Sequence, residues 1–319
     1  MDSLLEVFDF DLRVAWSPDP DLAEDAGCCD FSRPEGHLLA VFDGCGGLGA
    51  RRYEKLGGRS GAAIASRTAA ETVMRWFDAF DPTQISAFML SEGLRNSLAH
   101  ALNRALAAAG GQSELQGSMV RSLPTTGSLA VVLPDGSRRC HILTAQAGDS
   151  RVYLLTPEAG LRQITRDELR GDPDALENLE AGAPLANVIQ AEGAFTLTVR
   201  SGDAPLPFAL LCATDGVFGC FRSPMDFEYT MLRLIREQPG PAALADALRR
   251  ELSAHSGDDC TLTAAFYGWG SYPALQRLTR ERFRETEALR DAMDAGGEEA
   301  VRRIWARYKT TYFWEEDKP

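Results

Sequence analysis

The sequence predicts an α+β fold: a four-layer αββα sandwich of two antiparallel sheets flanked by helices, with a helical extension at the C-terminus. Three observations predict it. Strand-like runs come first, helical stretches follow and strands then resume, without the regular βαβ alternation of a parallel sheet. Residues 38–42 and 208–213 are continuously apolar, as expected of strands covered on both faces. Beyond Tyr272 the chain turns Arg/Glu-rich and helical.

Residues 6–42 read as strands. Ile64, Thr68, Val73, Trp76 and Phe77 recur near helical spacing, and an Ala/Leu-rich helix follows over 85–108, closed by Gly110-Gly111. Strands resume at 128–133, where Pro134-Asp135-Gly136-Ser137 turns the chain into 140–147. Residues 151–155 form another strand. The stretch 171–193 is polar and punctuated by Pro and Gly, with a short helix around 174–180. Strands at 195–199 and 208–213 precede a helix over 226–237. Pro239-Gly-Pro241 breaks it, a helix runs to about Ser253, and 261–267 is the last strand. Val301, Ile304, Trp305 and Tyr308 then fit the i, i+3, i+4, i+7 pattern of a helix face. The expected division is 1–270 as the main domain and 271–319 as the extension.

The 319 residues are 45% hydrophobic and 25% charged, the composition of a folded soluble protein. No run is long and apolar enough to cross a bilayer, and the acidic N-terminus lacks the features of a secretion signal, so a cytoplasmic chain is expected. A formal charge of −13 speaks against nucleic-acid and anionic-membrane partners. Seven cysteines show no C-x-x-C pair, which points to buried thiols in a reducing compartment. The four histidines share no ligand spacing.

Four of the apolar runs carry a carboxylate at one end: Asp43, Asp149, Asp215 and Asp258. An ionised Asp beside such a run is costly unless it is paired or metal-bound. Glycine after Asp43 and Asp215 lets the backbone approach an ion, with the Gly44 carbonyl as a further donor. Singly, each Asp-Gly pair is also an ordinary turn signal. Together they describe an oxygen-only cluster suited to Mg²⁺ or Mn²⁺ and to hydrolysis. Gly44-x-Gly46-x-x-Gly49 also satisfies a dinucleotide fingerprint, but Asp43 is a poor neighbour for a pyrophosphate and no acid ends a second strand at the required distance.

In order and spacing the set resembles the metal-dependent protein phosphatases of type 2C, the PPM family, in its bacterial form. The resemblance rests on Glu24-Asp25, Val41-Phe-Asp-Gly-Cys-Gly-Gly, Thr126-Gly-Ser-Leu-Ala, Ala147-Gly-Asp-Ser-Arg-Val-Tyr-Leu, Leu161-Arg-Gln-Ile-Thr-Arg-Asp, Ala213-Thr-Asp-Gly-Val and Asp258-Asp-Cys-Thr. It implies hydrolysis of phosphoserine and phosphothreonine by a water bridging two metal ions, Mn²⁺ or Mg²⁺. By position, Asp43 would bridge both ions and the Gly44 carbonyl would bind one. Asp215 and Asp258 would hold the other, and Glu24 and Asp25 would act through ordered waters. Asp149 matches the ligand of a third ion. The resemblance further implies phosphoprotein substrates, opposition to a serine/threonine kinase, and a flap over 171–193 beside the active site.

Three positions depart from the pattern. Gly219 stands where a further Asp helps to hold the third ion, so that ion should be weak or absent. The arginine that precedes the Glu-Asp pair is missing; Arg33, Arg51, Arg52 and Arg59 are the candidates to replace it. Cys45 takes a position usually held by His or Met. These departures keep open a second reading, a catalytically weak or inactive module that binds phosphoproteins or kinases. The tail, with Tyr312-Phe-Trp314, either docks on the main domain or offers aromatic anchors to a partner or a second copy.

Overall fold

A computed structural model describes residues 3–110, 122–171, 173–181 and 183–314; Gly111 and the last five residues of the expected extension lie outside them. The chain opens with β1 (Phe8–Trp16), β2 (Ala26–Asp30) and β3 (His37–Gly44), followed by one turn of helix, α1 (Gly46–Gly49). A small hairpin, β4 (Arg52–Tyr53) and β5 (Arg59–Ser60), leads into α2 (Gly61–Ala79) and α3 (Arg95–Ala108). Then come β6 (Ser122–Pro134), β7 (Arg139–Ala147), β8 (Arg151–Thr156) and β9 (Gly160–Gln163). The flap region holds α4 (Ala175–Ala181) and β10 (Ile189–Ala191), and β11 (Thr198–Pro205) and β12 (Phe208–Ala213) follow. The remainder is α5 (Asp215–Phe218), α6 (Pro224–Glu237), α7 (Pro241–His255), β13 (Cys260–Tyr267), α8 (Tyr272–Leu278) and α9 (Arg280–Tyr312).

Two antiparallel sheets result. One has the order β1-β13-β12-β8-β9; the other has β11-β7-β6-β3-β2, with β10 added to β6. Period-2 alternation sorts their side chains into layers. Leu39 and Val41 of β3, Ile142 of β7, and Phe208, Leu210 and Cys212 of β12 meet between the sheets. Leu38, Ala40 and Phe42 face the opposite way, against α2 and α3. Ala209, Leu211 and Ala213 face α6, α7 and the tail. These are the four layers, and strands buried on both faces explain why their sequences are unbroken apolar runs.

Two sequence expectations shift. The helix expected over 85–108 contains a π turn at Met89–Leu94 before α3. Leu90, Leu94, Leu98, Leu102 and Leu106 are all buried, yet a four-residue repeat drifts around a regular α-helix. The wider π turn takes up part of that drift. The strand expected over 195–199 instead starts at Thr198, because Phe195 and Leu197 leave the ladder and plug the core under α2 and α3.

The tail packs onto the chain itself. Phe283, Met293, Val301, Trp305, Tyr308 and Tyr312 join the core of the first sheet and α6. Gly297, at φ 61°, kinks α9 midway. Glu228, fully buried on α6, accepts from Arg282 Nε (2.7 Å) and Nη2 (2.8 Å), from the Tyr308 hydroxyl and from the Leu161 amide (3.0 Å). A buried carboxylate with four donors is satisfied rather than costly. No helix of the described residues is long and apolar enough to cross a membrane.

Candidate metal centre

The alternation that builds β3 also aims its last acid. Asp43 continues the parity of Leu39 and Val41, so its carboxylate ends the layer between the sheets. The Thr125 hydroxyl donates to the Asp43 carbonyl (2.6 Å) and fixes the strand end. Asp149 follows β7 across Gly148, Asp215 begins α5 directly after β12, and Asp258 lies just before β13. Asp43 therefore comes from one sheet and Asp215 and Asp258 from the other, while Asp149 sits in the link that crosses from β7 to β8. Oxygens of Asp43, Asp149 and Asp215 lie within 4.8 Å of one another. Asp258 faces Asp215 and Asp43 electrostatically and lines the same cleft.

Glycine is required at two places. A Cβ on Gly44 would sit 2.7 Å from the Glu24 carbonyl oxygen, and one on Gly216 would overlap the carbonyl oxygen of Asp259. Both contacts pull a flanking segment onto the cluster. Glu24 is held there by its amide, which donates to Asp259 Oδ2 (2.6 Å), and by Ser60, whose hydroxyl donates to the Glu24 carboxylate. That carboxylate also lies against Gly46, so an acid fills the glycine loop where a dinucleotide would need room. Asp25 Oδ2 accepts from the Thr214 hydroxyl (2.8 Å). Asp259 is thus spent on backbone, whereas Asp258 lines the cleft.

So many acids in one place cannot all ionise alone. Burial, then Asp215, Asp25, Asp149 and Asp258, raises the Asp43 carboxyl well above its ordinary value. Burial first and neighbouring acids second push Asp149 up to about 8, Asp25 to about 7 and Asp215 to about 6. Burial and the same acids push the Cys45 thiol up as well, which keeps it protonated. Asp25 Oδ1 and Asp149 Oδ1 are buried with no hydrogen-bond partner. Unpartnered carboxylate oxygens in an all-oxygen donor set fit a hard divalent cation.

A pH prediction follows from the sign of these shifts. The carboxyls titrate higher in the folded chain than in the unfolded one, so the metal-free fold holds extra protons between about pH 4 and 8 and loses stability as pH rises through that window. Melting the metal-free protein should give a midpoint lower at pH 8 than at pH 5.5 by roughly 5–10 °C. Excess Mn²⁺ should restore most of the difference, and Asp149→Asn should flatten the slope. A slope unchanged in that variant would mean that other groups carry it.

The arginines separate. Arg33 is corrected: its guanidinium caps the C-terminal end of α2, donating to the carbonyls of Phe77 (3.1 Å), Phe80 (2.9 Å) and Asp78 (3.1 Å) and to the Asp78 carboxylate (2.9 Å). Its remaining donor, Nε, faces the Asp30 carboxylate at 3.8 Å, so the guanidinium is engaged away from the acids. Arg51 lies over the Tyr53 ring, 5.1 Å from its centroid. Arg52 and Arg59 line a small, mainly basic pocket with Asp21, Ser60 and Arg67, one carboxylate away from the cluster. Arg67 escaped sequence reasoning because it sits mid-helix. Burial, then Arg59, lowers its pKa, the mark of crowded cations.

The cluster opens into a cleft of about 1310 Å³ walled by Asn178, Leu179, Pro184 and Leu185 of the flap. Arg170 and His255 also reach it. Neither was singled out from sequence, where each reads as an ordinary polar residue. His37 is buried beside the Tyr267 hydroxyl (3.2 Å), at the start of β3, the opposite end of the strand from Asp43. Behind Asp149, fully buried Arg151 grips Asp167 with two bonds (2.9 and 2.6 Å), and Asp167 also accepts from Asn178 Nδ2 (2.9 Å). Gly219, in the cleft wall, offers no carboxylate.

The family model described as Protein phosphatase 2C matches residues 22–252. Among curated proteins, none matches the chain. The fold is similar to that of the serine/threonine phosphatase Stp1 from Staphylococcus aureus (TM-score 0.58, 19% identity, 80% of this chain and 94% of that one). It is similar as well to the serine/threonine phosphatase PstP/Ppp of Mycobacterium tuberculosis (TM-score 0.55, 19% identity, 82% and 98%). A structure of the PstP catalytic domain in complex with two manganese ions aligns with TM-score 0.53 and 18% identity over 82% and 98% of the two chains.

Proposed function

Since the chain belongs to the protein phosphatase 2C family, the metal-dependent phosphatases, we propose that it hydrolyses phosphoserine and phosphothreonine in proteins and opposes a serine/threonine kinase. The observation that carries the reading is the convergence of Asp43, Asp149 and Asp215, of which Asp149 and Asp215 line an open cleft together with Asp258. Asp43, the Gly44 carbonyl, Asp215 and Asp258 would hold two ions, Mn²⁺ or Mg²⁺, with Glu24 and Asp25 acting through waters. The ions, when bound, supply charge neutralisation and a more acidic water. Asp149 would meet a third ion only weakly, since Gly219 brings no second carboxylate.

The protein's own part is positioning. Glu24, tied to Ser60 and Asp259, sets the near edge of the cluster, and the cations beyond it would supply the phosphate-facing charge that the sequence otherwise lacks. Arg52 and Arg59 are therefore the preferred cations, with Arg67 added and Arg51 outside the pocket. A module without turnover is not favoured, because it would retain this many costly buried acids without using them. We assign the chemistry to 1–270 and read 271–319 as an extension docked on it, since Trp305, Tyr308, Tyr312 and Trp314 are all buried within the chain. Seven free cysteines accord with a cytoplasmic location.

The test is turnover of para-nitrophenyl phosphate and of a phosphothreonine peptide with Mn²⁺ titrated into the millimolar range. Hydrolysis that rises with Mn²⁺ and vanishes with EDTA is expected. A folded protein inert at every metal concentration would sink the proposal.

A further inference from the structure

α4 is seven residues long, too short to hold its shape unaided, yet it forms one wall of the cleft. What fixes it is Asp174. One oxygen of that carboxylate caps the helix, accepting from the amides of Leu176 (3.0 Å) and Glu177 (3.1 Å). Glu177 reaches back to the Asp174 amide (2.8 Å), which closes a capping box. The other oxygen is held from the tail: Trp305 Nε1 donates at 2.9 Å and Lys309 Nζ at 3.1 Å. These two residues lie one turn apart on α9. Ala175 and Leu176 are buried in the same core as Trp305, Tyr308 and Tyr312.

The far side of α4 meets the site. Asn178 donates to Asp167, the partner of Arg151 behind Asp149, and both Asn178 and Leu179 line the cleft. The tail continues the anchorage to the base of the flap. Phe313 pairs with Gln163 at the end of β9, the Trp314 amide donates to the Gln163 carbonyl (3.0 Å), and the Arg166 guanidinium covers the Phe313 ring at 3.6 Å.

We propose that Trp305 and Lys309 are positioning residues: acting through Asp174 they hold the flap wall against which a phosphorylated peptide, though not a small phosphate ester, is bound. The proposal rests on the phosphatase reading above. A small ester reaches the acids on the cleft floor without needing the wall; a peptide chain lies along it. The C-terminal extension thereby selects for protein substrates at a distance from the chemistry.

The test compares the full chain with Trp305→Phe combined with Lys309→Met, a pair that removes both donors to Asp174 and keeps an aromatic ring and an unbranched side chain in their places. Two readouts are taken: hydrogen exchange of the flap, and kcat and KM for para-nitrophenyl phosphate and a phosphothreonine peptide in Mn²⁺. The expected result is faster exchange confined to the flap and a peptide KM raised roughly 5- to 10-fold, with the small-ester constants within about twofold. Unchanged flap exchange overturns the proposal. So does an equal loss on both substrates, which marks a merely structural role. If melting shows the double variant to be unfolded, Lys309→Met alone is judged by the same criteria. A wild-type chain that turns over neither substrate sinks the phosphatase reading instead, and the exchange result then decides the coupling alone.

Discussion

Replacing Asp215 by Asn should lower metal-dependent turnover by about three orders of magnitude, some 4 kcal/mol of transition-state stabilisation, and should at the same time make the metal-free protein more stable. The two effects have one cause. Asp215 lies beside Asp43, Asp149 and Asp258, where burial and like charge hold its carboxyl above its ordinary value. Asn has nearly the same shape and no charge to desolvate. At pH 8 the metal-free variant should gain about 1–2 kcal/mol over the parent. The melting midpoint with EDTA and the rate on para-nitrophenyl phosphate with Mn²⁺ are the two measurements. Lost activity with a raised midpoint separates a missing ligand from a broken fold. Retention of more than a tenth of the rate would remove Asp215 from the proposed ligand set.

The largest loss of stability should come from Arg151→Met. Arg151 is fully buried, donates twice to Asp167 and once to the Tyr153 hydroxyl (3.2 Å), and lies 3.8 Å from the Phe218 ring centroid. Met fills much of the volume but leaves Asp167 charged and unpaired, a state that costs about 3–5 kcal/mol. Urea unfolding of the metal-free protein reads it directly. Adding Asp167→Asn should recover a large part, since the penalty belongs to the orphaned charge. Arg151 also holds the Asp149 carboxyl lower than burial alone would, so the single variant should need a higher pH or more Mn²⁺ for the same activity. A loss under about 1 kcal/mol would mean that Asp167 finds another cation or takes up a proton.

Much of this was legible in the residues, and the reason is burial on both faces. Residues 38–42 and 208–213 read as strands because nothing polar is tolerated between the sheets or under the helices, and an Asp at the end of such a run has few ordinary explanations. The gathering of those acids came from order and spacing through the family resemblance, not from the pattern of any one run. Tertiary placement hid the rest. Arg33 stood among four candidate phosphate ligands because one sequence cannot show that its guanidinium meets the end of α2. Arg67 was invisible inside a helix, and the basic pocket exists only where α2 meets the 21–23 segment and the β4–β5 hairpin. Phe195 and Leu197 read as strand because local propensity does not distinguish a ladder from a core plug. The link from Trp305 to Asp174 spans 131 residues and leaves no local signal.

The division of the acids between two sheets has a consequence for how the chain can change over time. Asp43 rides on one sheet and Asp215 and Asp258 on the other, with Asp149 in the link between them, so the gap across the cluster is set by the side chains packed between the sheets, such as Val41, Ile142 and Leu210. That apolar layer is a ruler. A methyl group gained or lost in it moves Asp43 relative to Asp215 and Asp258, and hard cations differ in the separation they tolerate. Preference for one ion over another can therefore drift by substitutions that never touch a ligand, in the most oil-like part of the molecule.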